Sequence, residues 1–224
     1  MADYFLEVRN VSKAYVGVQA LDSVDMNIEP GEIHCLVGEN GSGKSTLIKI
    51  IAGVETRDAG DIIIEGESFP FLHAIDSIRK GIRIIYQDLS LFPNLSVAEN
   101  ISLNQEIEQN SKLVNWKNIK EIARKALAEI GEELDLDERV ENIPVASKQL
   151  VAISRALTQK ARLIIMDEPT SSLTREEIDR LFQVIKGLQK RGISIMFVSH
   201  KLSEVFEISE RVSILRDGKM VGTF

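Results

Sequence analysis

Apolar and polar positions alternate along the chain in three ways, and each predicts a different element. Val24-Asp25-Met26-Asn27-Ile28 has the period of two expected of a half-buried strand. Tyr4 to Val11 reads as a strand before it, and Gly60 to Gly66 as one bounded by glycines; Pro30-Gly31 is a turn. These form an expected antiparallel set. Continuous apolar runs at Ile33 to Val37, Leu163 to Met166 and Ile193 to Ser199 predict strands buried on both faces. Gly81 to Tyr86 is a further strand that delivers Gln87 at its end. Leu47 to Ala52, closed by Gly53, reads as a helix. So does the stripe Ile178, Leu181, Phe182, Ile185 and Leu188, opened by Thr174-Arg175-Glu176-Glu177 and stopped at Gly192. A short helix over Ser203 to Ser209 and a hairpin turning at Asp217-Gly218 finish the chain. The sequence stops within that last strand, which predicts a piece of something longer.

Between these segments the period changes. Ser96-Val97-Ala98-Glu99 fits a capping box opening a short helix. Asn104 to Asn115 is polar and reads as a loop. Trp116, Ile119, Ala123, Ala126, Leu127 and Ile130 fall on one helical face, and Ser147 to Thr158 predicts another helix. The expectation is an α/β core with an antiparallel β subdomain, spanning about residues 1–88 and 159–224. A helical lobe of about residues 89–158 is inserted into it.

Composition narrows the class. Of the 224 residues 44% are hydrophobic and 27% charged, ordinary for a globular protein that buries a sizeable core. The formal net charge of -7 argues against broad non-specific binding to nucleic acid. No apolar run approaches the roughly 20 residues that span a bilayer. Met1-Ala2-Asp3-Tyr4 has no basic region followed by an apolar stretch, so no secretion signal is expected. The single cysteine, Cys35, cannot form an internal disulfide and falls in an apolar strand. Together with a nucleotide site these features predict a cytoplasmic protein.

That site is Gly38-Glu39-Asn40-Gly41-Ser42-Gly43-Lys44-Ser45-Thr46, a match to the phosphate-binding pattern G-x-x-x-x-G-K-[ST]. It stands between a predicted strand and a predicted helix, the context the motif requires. The glycines let amides wrap a phosphate chain, and the helix N-terminus adds a positive dipole end. Lys44 should reach the β- and γ-phosphates, and Ser45 should sit on Mg²⁺. Asp167, at the end of another apolar strand, is the expected partner that holds the Mg²⁺ water shell. Glu168 is placed to polarise a water. Two adjacent carboxylates favour a cation over a solvated acidic turn. His200 ends a strand expected beside that of Asp167, where a γ-phosphate contact competes with a structural role.

In order and spacing, Gly38 to Thr46, Gln87, Leu163 to Glu168 and His200 resemble the ATPase subunit of ATP-binding cassette transporters. The resemblance covers the whole chain and implies a P-loop NTPase (RecA-like) core. Within that family, four strings look like the first cassette of the tandem ATPases of simple-sugar importers: Ser12-Lys13-Ala14-Tyr15, Gly38-Glu39-Asn40-Gly41, Asp167 to Thr174 and Ser199 to Phe206. The resemblance implies roles at matching positions. Tyr15 would stack on adenine, although a core aromatic of the first sheet is the plain alternative. Gln87 would touch Mg²⁺ and sense the membrane subunit, Glu168 would be the catalytic base, and His200 the switch histidine. ATP and Mg²⁺ are the implied substrate and metal. The implied partners are transmembrane permease subunits, a second cassette and, indirectly, a solute-binding protein, with the chain on the inner face of the membrane. Leu91-Phe92-Pro93-Asn94-Leu95 would line the groove for the membrane subunit, or else anchor the helical lobe. Thr174 stands where the family usually has an aspartate.

One departure is larger. The family's signature, L-S-G-G-Q or close to it, precedes a run like Val151 to Leu157, which puts it at Ile143-Pro144-Val145-Ala146-Ser147. Pro144 replaces the serine that would bond the opposite cassette's γ-phosphate, and Ala146 replaces a glycine. Such a chain supplies an intact phosphate cradle and a poor signature. The rival readings are a cassette ATPase acting on ribosomes or DNA with no membrane partner, and a nucleotide kinase using the same loop.

Overall fold

A computed structural model describes residues 4–108 and 115–224. The chain forms two compact units: Met1–Ile84 with Arg162–Glu168 and Gln189–Phe224, and Ile85–Ala161 with Pro169–Leu188.

Two sheets are present among the described residues. One is antiparallel, in the order β2 (Val18–Ile28), β1 (Leu6–Tyr15), β4 (Ala59–Ile64), β5 (Glu67–Phe69). Both β1 and β2 run further than local alternation predicts. Their pairing continues through Lys13↔Leu21 and Tyr15↔Val18 across several bulges, so partner hydrogen bonds extend strands whose own pattern has faded. The other sheet runs β10 (Lys219–Thr223), β9 (Arg211–Arg216), β3 (Ile33–Val37), β8 (Ser194–Ser199), β7 (Leu163–Asp167), β6 (Ile82–Ile85). The pairs β9–β3, β3–β8 and β8–β7 are parallel, and β10 is antiparallel to β9. Every residue of β3 and β8 is buried, which is why both read as continuous apolar runs. Helices α1 (Lys44–Ile51), α2 (Ala74–Arg79) and α7 (Leu202–Ile208) belong to this unit. Neither α2 nor β5 is legible in the sequence: each is too short to show a period.

The second unit is built on α3 (Val97–Glu108), α4 (Trp116–Glu129), α5 (Val145–Thr158) and most of α6 (Arg175–Lys190). Val97, Ala98, Ile101, Ile119, Ala123, Ala126, Leu127, Val140 and Val151 form its core. The predicted capping box is present, with Ser96 N–H donating to Glu99 Oε2 at 2.8 Å and Glu99 N–H to Ser96 Oγ at 3.2 Å. Thr174 and Glu177 cap α6 in the same manner, and the α6 stripe is buried as expected. Two expectations change. Trp116 is the first residue of α4 and is 57% exposed, because the stripe enters the core only at Ile119. The polar stretch from Asn104 is helical through Glu108: α3, anchored by its apolar N-terminal half, carries a polar tail. The remainder of that predicted loop lies outside the described residues up to Asn115, which caps α4 by accepting from Asn118 N–H. No described helix is long and apolar enough to cross a membrane.

Candidate functional site

The glycine-rich loop joins the end of β3 at Val37 to the first residue of α1, Lys44. Gly43 is the N-cap of α1 at φ 108°, and Gly41 lies at φ 83°, both in the region glycine favours. Contact is close as well. A Cβ on Gly43 would lie 2.4 Å from the Ala20 carbonyl oxygen of β2; one on Gly38 would lie 2.3 Å from that of Leu215 in β9. The loop is pinned where the Gly218 N–H donates to the Ser42 carbonyl at 3.0 Å. Lys44 is buried, and its ammonium donates to the carbonyls of Gly38 at 2.6 Å and Glu39 at 2.9 Å. Asn40, Gly41 and Ser45 are exposed and Thr46 is half-buried. Ser42 Oγ is buried without a hydrogen-bond partner, an orphaned donor inside the loop. A cradle of amides, one cation and an unsatisfied hydroxyl fits an anion.

Strand pairing brings the acidic residues to the same sheet end. Asp167 is opposite Val198, and Val37 opposite Ser199, so the ends of β7, β8 and β3 form one row. The Asp167 carboxyl is pushed above the ordinary range, first by burial and then by the charge of Glu168, against the pull of Lys44. A cation beside it would relieve both causes. Among the described residues no group of three or more His, Cys, Asp or Glu side chains could hold a metal. A divalent ion here would therefore take Asp167, the Ser45 hydroxyl and oxygens from an anionic ligand, a donor set that suits Mg²⁺.

Glu168 has a left-handed backbone, φ 48°, held by its N–H donating to the Val198 carbonyl at 3.0 Å. Its Oε1 lies 3.0 Å from Nδ1 of His200, which follows β8. An ionised carboxylate only accepts, so Nδ1 carries the proton and Nε2 keeps its lone pair when the ring is neutral. The structure thus joins Lys44, Asp167, Glu168 and His200 in one unit.

Tyr15 ends β1 and is 42% exposed, so it is not a core aromatic. The Lys13 ammonium lies 5.3 Å from the centre of its ring. Lys13 pairs with Glu55 at 2.9 Å and Asp58 at 3.4 Å. Glu55 is held below the ordinary carboxylate range by the Lys13 hydrogen bond, and Asp58 first by the Ala14 N–H. Sequence inspection misses this cluster, because more than 40 residues separate Lys13 from its partners.

Gln87 is exposed in the turn after β6, described with the second unit. In that unit the stretch Leu91 to Leu95 is fastened by Asn100, fully buried in α3. Its amide accepts from Phe92 N–H at 2.8 Å and donates to the carbonyls of Phe92 at 3.0 Å and Leu95 at 3.3 Å. Phe92 is nevertheless 47% exposed, so anchoring and an apolar surface coexist. At the start of α5, Pro144 is the N-cap and supplies no side-chain cap. A cavity of about 210 Å³ there is lined by Pro144, Ala146, Ser147 and Gln149 with Glu177 and Arg180 of α6.

Comparison with known proteins extends these observations. The family model described as "ABC transporter" matches residues 21–171. The chain is similar to the ribose import ATP-binding protein RbsA 1 of Agrobacterium fabrum, 45% identical over 97% of this chain and 42% of that protein. It is 44% identical to the xylose import ATP-binding protein XylG of Thermoanaerobacter pseudethanolicus, over all of this chain and 44% of the relative. The chain thus spans less than half the length of these relatives. Among solved structures, cbiO1 from Clostridium perfringens, part of the transporter complex cbiONQ, superposes with a TM-score of 0.86 at 26% identity, covering 99% of this chain and 88% of that one. A nucleotide-free ATP-binding cassette superposes with a TM-score of 0.85 at 23% identity, over 98% and 90% of the two chains.

Proposed function

Since this chain belongs to the ATP-binding cassette transporter family, we propose that it binds and hydrolyses ATP to power import of a simple sugar. One observation carries the reading. Around the phosphate loop the fold assembles a buried lysine, a carboxylate whose ionisation is disfavoured without a cation, and a second carboxylate held by a histidine. The sugar comes from the relatives named for ribose and xylose import.

The chemistry follows from those groups. Loop amides, the Ser42 hydroxyl and Lys44 take the phosphate oxygens, and Tyr15 takes the adenine face. Ser45 and Asp167 would hold Mg²⁺, which supplies charge neutralisation on the phosphates. Glu168 polarises a water aimed at the γ-phosphorus; the P–O bond to ADP breaks as the new one forms. His200 orients Glu168 through Nδ1, and a γ-phosphate contact through Nε2 would require the doubly protonated ring, in which both nitrogens donate. ATP would lie between this cassette and a second one, and closure of that interface would drive permease subunits at the inner face of the membrane. This chain would be the first cassette of a tandem pair.

The test is co-purification of the full-length protein from solubilised membranes with chemical cross-linking. An integral membrane partner, released or tightened by ATP, is the expected result. Recovery with ribosomes or DNA and no membrane partner would replace the importer reading with that of an ATPase acting on those assemblies.

A further inference from the structure

Glu204 is a carboxylate with 3% exposure in α7, a helix of seven residues. Carboxylates are almost never this buried unless they are paired. Glu204 is bonded to both residues that flank His200. Ser199, itself buried at the end of β8, donates its hydroxyl to Glu204 Oε2 at 3.1 Å. The same hydroxyl accepts the Lys201 N–H at 3.0 Å. Glu204 Oε1 lies 3.1 Å from the Lys201 ammonium, and the Glu204 N–H donates to the Lys201 carbonyl at 3.1 Å. The residues before and after His200 are thus tied side chain and backbone to one buried acid, while the imidazole meets Glu168.

We propose that Glu204 is a positioning residue for hydrolysis. Through Ser199 and Lys201 it fixes the turn that holds His200 against Glu168, and it does not touch nucleotide itself. The inference rests on the ATPase reading above. The physical argument is geometric. A turn between strand and short helix has several backbone arrangements of similar energy, and a displacement of about 1 Å at a catalytic group can cost up to roughly 100-fold in rate. A buried hydrogen bond from Ser199 and an ion pair from the half-exposed Lys201, both to Glu204, select one arrangement.

The test is single-turnover ATP hydrolysis at saturating ATP by the full-length protein, with ATP affinity measured separately by equilibrium binding. Glu204→Ala should lower the hydrolysis rate about tenfold or more, with affinity within about twofold of the unmodified protein. Glu204→Gln, whose amide oxygen still accepts from Ser199, should stay within about threefold. The deciding readout is a double-mutant cycle: in a His200→Ala background, Glu204→Ala should add no more than about a twofold loss. Losses that multiply, or a Glu204→Ala protein with unmodified turnover, would overturn the proposal. If Glu204→Ala does not fold, Ser199→Ala against Ser199→Thr carries the same cycle, and threonine should rescue. An unmodified protein that neither binds nor hydrolyses ATP overturns the ATPase reading instead, which differs from multiplying losses in an active one.

Discussion

Restoring the family's residues at the start of α5 should turn a weak ATPase into a strong one, and the expected gain can be worked out. The helix begins at Val145, and its first intrahelical bond runs from Lys148 N–H to the Pro144 carbonyl at 3.0 Å. The amides of Val145, Ala146 and Ser147 precede that bond, so this end offers donors to an anion. Pro144 has φ -59° and ψ 157°, extended values that a serine N-cap adopts without strain. Pro144→Ser adds a hydroxyl beside those amides, and Ala146→Gly removes the methyl that obstructs close approach. A hydrogen bond to a charged phosphate is worth about 1.5–3 kcal/mol. If it forms only in the closed pair of cassettes, it should raise hydrolysis by about 10- to 150-fold. Stability is a separate readout. The new cap contributes about 0.5–2 kcal/mol, loss of proline costs about 0.4–1 kcal/mol, and the glycine costs up to about 1 kcal/mol. The double variant should therefore melt within a few degrees of the unmodified chain. The assay is ATP turnover by the isolated chain against protein concentration, alongside thermal melting. Robust, cooperative turnover by the unmodified chain would refute the reasoning. So would a double variant that melts normally but hydrolyses no faster.

Lys44→Ala should abolish tight ATP binding, since the buried cation facing the phosphates is lost; equilibrium binding that stays unchanged would show the loop is misassigned. Glu168→Gln should keep ATP affinity and stop turnover, because an amide is no base, and should trap a closed ATP-bound state when a competent partner cassette is present. Near-normal hydrolysis with that partner would remove Glu168 from the role. Asp167→Asn should weaken Mg²⁺-dependent ATP binding yet raise the melting temperature of the nucleotide-free protein at neutral pH. The Asp167 pKa is raised on folding, so its contribution is favourable below the unfolded pKa and is lost as pH rises through the folded one. The gain from Asp167→Asn should shrink in acid, and melting curves from pH 4 to 8, a range bracketing the ordinary carboxylate value near about 4, check the sign.

Much of the site can be read from the chain because local rules dictate it. The phosphate loop needs glycines at fixed offsets before a helix, and the Ser96–Glu99 and Thr174–Glu177 boxes close within one turn. Strands β3, β7 and β8 announce burial on both faces by unbroken apolar runs, which places Asp167, Glu168 and His200 at strand ends. Tertiary structure decided what depends on partners remote in sequence. β1 and β2 extend because each supplies the other's hydrogen bonds. Tyr15 acquires a cation through Lys13, Glu55 and Asp58 across the first sheet. Trp116 continues the α4 stripe in sequence yet meets solvent, since the buried part of that stripe begins only at Ile119. Asn100 and Glu204 look like ordinary polar positions of amphipathic helices until folding removes them from water. Once buried, each must be satisfied by the nearest loop, and it thereby fixes that loop's shape.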